Sequence, residues 1–176
     1  MLTYWLLRPL RTLLGVLLTN DSSRQVAAGV AIGVVLGAAP LGSLTAVALG
    51  VVLCSLRVNK AAGLLAAAGV AAATPLLDPF THKLGLKVLT VPSLQSTYAA
   101  AYDAPLGPWW GLHNTVACGS LLLGLYLSYP VFLGTRALVD RARPWAVKHI
   151  AKYKLGRVLL GAQITDRLGA SFGIGS

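Results

Sequence analysis

The chain has 176 residues, of which 56% are hydrophobic and 11% charged, against about 45–50% and about 25% in an ordinary soluble domain, so it lacks the charge to coat a water-exposed sphere. Its net charge of +10 comes from 15 Lys and Arg against 5 acids, all aspartates, so paired-glutamate chemistry is excluded. The cations flank long uncharged stretches at 25–56, 61–77 and 104–135, which reads as an all-α membrane protein with topogenic charges rather than a nucleic-acid binder.

Over residues 1–19 a helical wheel gathers Arg8, Arg11, Thr12, Gly15 and Thr19 on one narrow face, with Trp5, Leu and Val on the rest. An interfacial amphipathic helix is expected there, with a short Pro-kinked span as the alternative. Because Arg8, Pro9 and Arg11 interrupt the apolar run, cleavage as a signal peptide is not expected. The membrane domain, 20–135, opens on the polar break Asn20-Asp21-Ser22-Ser23, where Ser22 and Gln25 have the spacing of a capping box.

Residues 25–56 make a helix of about 48 Å if continuous, too long for a hydrocarbon core of about 30 Å. Pro40 and Gly42 divide the segment, and Arg24 at one flank and Arg57 with Lys60 at the other both favour the cytoplasm. The chain therefore enters and returns as a re-entrant helical hairpin with its tip at Pro40, Leu41, Gly42 and Ser43, two short full spans being the alternative. Gly29, Gly33 and Gly37 recur every four residues on the first arm, a bare stripe for close helix packing within the monomer or in a homo-oligomer. Cys54 and Cys118 lie singly in apolar surroundings and read as free thiols.

An Ala-rich transmembrane helix over 61–77 crosses outward and is expected to end at Asp78-Pro79, with Asp78 capping a following helix. The neutral region 78–112 is periplasmic or interfacial, with Trp109 and Trp110 at the headgroup level. A second transmembrane helix over 114–135, bent at Pro130, returns to Arg136, and 136–176 forms a basic cytoplasmic tail. In that tail Lys148, Lys152, Lys154 and Arg157 are candidate contacts for anionic lipid.

No phosphate loop, dinucleotide fingerprint or zinc-binding histidine pair is present, and no cofactor, metal or catalytic residue is assigned. Asp78 and His82, four apart on a helix, are the one pair that could share a proton or a metal, against a capping role for Asp78. Asn59, His113 and Asn114 are further polar groups near lipid, suited to a buried network or a ligand, with capping and interhelical hydrogen bonding as the competing expectation.

The run Val-Ala-Ala-Gly-Val-Ala-Ile-Gly-Val-Val-Leu-Gly-Ala-Ala-Pro over 26–40, followed by Arg57-Val58-Asn59 and Asp78-Pro79, resembles the bacterial membrane family named domain of unknown function 2062. Leu84-Gly85, Pro92-Ser93-Leu94, Tyr102, Pro105, Asn114-Thr115-Val116 and Gly119-Ser120 are similar to a short subgroup, with Asp103 and His113 standing where Asn is expected. The resemblance implies a multi-pass protein of the bacterial inner membrane with no established activity. It also implies a gene neighbourhood shared with AsmA-like envelope proteins linked to lipid traffic, and hence an AsmA-like protein and membrane lipids as partners. The leading expectation is a non-enzymatic component supporting envelope lipid transport or assembly. A small transporter or lipid flippase using the break at Pro40 comes second, and a membrane enzyme using Asp78 and His82 third.

Overall fold

Ser22 starts the first helix by a reciprocal cap: its hydroxyl accepts from the Gln25 N–H, and the Gln25 side chain accepts from the Ser22 N–H at 2.8 Å. The structure, a computed structural model, describes residues 21–150, with side chains through Pro144. Among these residues every regular element is helical: α1 (Ser23–Ala38), α2 (Leu44–Ser55), α3 (Lys60–Leu89), α4 (Gln95–Asp103) and α5 (Thr115–Ile150), with 3-10 turns at Pro92–Leu94 and Gly107–Trp110. The segment 1–19, the Lys148 side chain, Lys152, Lys154 and Arg157 lie outside the described residues.

Helix α1 runs between α3 and α5, and those two also pack on each other, so three helices form the core. Small residues make this possible. A Cβ at Gly29 would strike the Asn59 carbonyl, one at Gly33 the Gly63 carbonyl, and one at Gly37 the Ala67 carbonyl. The rising numbers on both sides mean that α1 and α3 run parallel at backbone contact. Helix α5 runs antiparallel to both: Val139 is buried with Val26 and Ala62 at one end, while Ser120 meets Ala38 and Gly119 meets Thr81 at the other.

The α3–α5 crossing is a second backbone contact. A Cβ at Gly85 would meet the Thr115 carbonyl, and one at Gly119 would meet the Thr81 carbonyl and come within 2.8 Å of the Gly85 nitrogen. Thr81-x-x-x-Gly85 and Thr115-x-x-x-Gly119 thus present small residues one turn apart on both helices. Helix α2 returns the chain between the two parallel helices, burying Thr45 and Leu53 and leaving Val47 and Val51 exposed.

Two boundaries differ from expectation. Helix α3 continues through Pro75 and Pro79 to Leu89 instead of ending at 77, so much of 78–112 is helical and Asp78 is an interior residue, not a cap. Each proline removes one N–H, but the Thr81 and Gly85 contacts with α5 hold the helix on course past both. Likewise α5 passes Pro130, Arg136 and Pro144 without a break, so the first part of the segment expected as a tail from 136 is the continuation of α5.

Helices α3 and α5 are long and apolar enough to cross a membrane, whereas α1 and α2 are shorter apolar helices. Only 11% of the most apolar stretch of α3 and 22% of that of α5 is buried, and Leu64, Leu76, Leu125 and Leu133 are exposed.

Candidate functional site

Two polar junctions clamp the bundle, one at each end of α1. At the base, Asn59 is buried and caps α3, its Oδ1 accepting from the Ala62 N–H at 2.7 Å. The other half of its amide, Nδ2, donates to the Asp21 carboxylate at 2.7 Å, and its own N–H donates to the Gln25 carbonyl at 3.1 Å. From α5, Arg143 donates to the Asp21 carbonyl at 2.7 Å. One asparagine thus ties the start of α1 to the start of α3, and Asp21 ties both to α5.

At the far end is the hairpin tip. Ala39 is extended because it precedes Pro40, which stops α1. Gly42 has φ +89, a conformation open to glycine at little cost, and nothing crowds it, so the turn alone requires it. Ser43 then caps α2: its Oγ accepts from the Ala46 N–H at 3.2 Å and donates to the Pro40 carbonyl at 2.8 Å. The Ala38 carbonyl receives the Ser120 hydroxyl at 2.7 Å. Across the gap, the Thr45 hydroxyl donates at 2.8 Å to the carbonyl of Trp110, so the tryptophan turn sits against the tip. Leu41, 85% exposed, is the apex.

Asp78 and His82 lie between the tip and the outer end of α3, and the structure gives them different surroundings. His82 faces α5, its Nδ1 2.7 Å from the Thr115 hydroxyl. One Asp78 carboxylate oxygen is buried without a hydrogen-bond partner among the described residues. Asp78 lies about 27 Å along the helix from Lys60, close to the thickness of a hydrocarbon core. Asn114 caps α5, its Oδ1 accepting from the Val116 N–H at 2.9 Å and its carbonyl accepting from Cys118 at 2.9 Å. His113 meets the Tyr102 ring edge-on at 5.5 Å between centroids, holding α4 against the start of α5.

Asp21 and Ser120 stand in the sequence only as part of a polar break and of a family-like motif, and Thr45 and Arg143 carry no motif there. Each acts through a partner 38 to 122 positions away, except that Thr45 and Ser120 carry a local signal as lone hydroxyls in apolar helices. Gly85 and Gly119 were legible only as two separate glycines; that they meet is a tertiary fact.

A family model described as an uncharacterised protein conserved in bacteria (DUF2062) matches residues 7–148. No curated protein and no solved structure matches the chain. The chain belongs to the DUF2062 family.

Proposed function

We propose that this member of the DUF2062 family is a non-enzymatic, multi-pass protein of the bacterial inner membrane that supports envelope lipid transport or assembly. The observation that carries the membrane half of this reading is that only 11% of the most apolar stretch of α3 and 22% of that of α5 is buried. A lipid-embedded bundle does not need to hide leucine from its solvent. The exposed cations Arg24, Arg57, Lys60 and Arg136 set the base on the cytoplasmic side. Helix α1, with 16 residues, and α2, with 12, span about 24 and about 18 Å, so the hairpin enters from that side and returns to it.

The tip supports a structural role, because its inward carbonyls are taken up by the Ser43 and Ser120 hydroxyls rather than held open for a substrate. An AsmA-like envelope protein is the partner this reading assigns, met at the tip or through the basic tail.

A small transporter or flippase is the second reading, and one observation favours it: the Asp78 oxygen, buried without a partner among the described residues between two helix prolines. An ionisable group within a span is a functional candidate by default.

Complementation separates the two. A deletion strain with detergent or antibiotic sensitivity would receive Pro40→Leu, a chain truncated after Pro144, or Asp78→Asn/His82→Ala at matched protein levels. The expected outcome is rescue by the Asp78/His82 variant and failure by the other two. The opposite pattern replaces the scaffold with a proton-coupled or catalytic protein.

A further inference from the structure

The sequence places cations at three separate flanks, but the fold brings those flanks to one spot. Asn59 bonds to Gln25 and Asp21, and Arg143 reaches Asp21, so the start of α1, the α2–α3 turn and the lower part of α5 meet at one end. Among the residues whose side chains are described, that end holds six cations, Arg24, Arg57, Lys60, Arg136, Arg141 and Arg143, against two acids, Asp21 and Asp140. Both acids are engaged: the Asp21 carboxylate accepts from Asn59, and Asp140 lies 4.0 Å from Arg136. The opposite end has Lys83 and Lys87 against Asp78 and Asp103, no net charge.

We infer that Arg24, Arg57, Lys60 and Arg141 form a rim that binds acidic phospholipid headgroups, an inference that rests on the membrane-embedded reading above. All four are exposed. Exposed apolar side chains follow within a turn of three of the four: Leu56 beside Arg57, Leu64 above Lys60 and Leu138 above Arg141. A ring of cations bordered on one side by hydrocarbon-facing leucines matches an acidic lipid, with its phosphate at the cations and its chains along the leucines. A nucleic acid matches only the first feature. Topogenic charge needs only to flank spans along the sequence. It does not require the flanks to converge or their acids to be occupied, and convergence is what gathers cations from three segments at one end of the bundle, where each can meet a headgroup phosphate.

The test uses the full chain in neutral detergent, with dioleoyl phosphatidylglycerol and dioleoyl phosphatidylcholine as probes and bound lipid counted by native mass spectrometry. Wild-type protein should retain phosphatidylglycerol in preference to phosphatidylcholine, and less so at high salt. Arg24→Gln/Arg57→Gln/Lys60→Gln should weaken phosphatidylglycerol binding on the order of a hundredfold, from about 1 kcal/mol for each cation. Lys83→Gln/Lys87→Gln, at the uncharged end, should leave it unchanged. If the triple variant does not fold, Arg57→Gln/Lys60→Gln should still lower it about tenfold or more. Equal retention of both lipids by the wild type, or wild-type binding by the rim variants, overturns the inference. Extraction of the chain from membranes by alkaline carbonate would instead overturn the membrane reading itself, so the two failures are distinguishable.

Discussion

At Gly33 an added Cβ would lie 2.9 Å from the Gly63 carbonyl carbon and 3.0 Å from the Ala66 Cβ. Backbone cannot retreat as a side chain can, so Gly33→Leu should separate α1 from α3 and cost at least about 1–3 kcal/mol. Leu36→Ala trims a half-buried side chain and should be milder; folded yield after detergent extraction compares them. Equal yields would mean that the α1–α3 contact contributes little. The α3–α5 crossing allows a test with opposite signs. Gly119→Ala drives a methyl into the Thr81 carbonyl and should destabilise, whereas Gly134, with nothing within 4 Å, should gain up to about 1 kcal/mol of helix propensity as alanine. Unfolding in SDS titrations reads both, and a stabilised Gly119→Ala would contradict the packing.

Among elements, the start of α3 depends on one side chain. Asn59→Ala removes a cap of about 1 kcal/mol and the bond to the Asp21 carboxylate, worth about 1.5–3 kcal/mol. A loss of about 2–4 kcal/mol is expected from both together. Asn59→Ser keeps a capping hydroxyl without the donor to Asp21, so it should recover roughly the cap and no more. Thermal unfolding in detergent followed by tryptophan fluorescence measures the series, and equal losses for the two variants would remove the cap from the account. The hairpin turn was legible in part: the Ser22 box and the break at Pro40 with Gly42 stand in the sequence and capping is one of two expectations for Asn59, whereas the Ser43 cap on α2 appears only in the structure. The ends of α3 and α5 were not legible: Pro79 is a local stop signal that packing overrode, and Arg136, the expected end of the second span, lies inside α5.

For the whole molecule, the proposed orientation puts the α2–α3 turn inside and the segment after α3 outside. With Cys54 and Cys118 replaced, Val58→Cys should resist an impermeant thiol reagent in intact spheroplasts and Gln95→Cys should react. Reaction at 58, or protection at 95, reverses or breaks the topology. The orientation is built on charge placement, and the fold adds that the three basic flanks share one end through Asp21 and Asn59. The tip at the other end of α1 meets the Trp110 turn, where the Thr45 hydroxyl donates to the Trp110 carbonyl.

What the sequence by itself determined is whatever depends on neighbours along the chain. The helical class follows from long apolar runs, the break at Pro40 from ring geometry, and the start of α1 from the Ser22–Gln25 box. The stripe Gly29, Gly33 and Gly37 was visible as a bare face, but not the helix that would lie on it. Only the tertiary structure decided that this helix is a parallel α3, that Gly85 meets Gly119, that His82 turns to Thr115, and that Asp78 lies inside a helix. These were settled by backbones fitting together across the bundle: helices at van der Waals contact reward the absence of a side chain, and an absent side chain carries no mark of its partner.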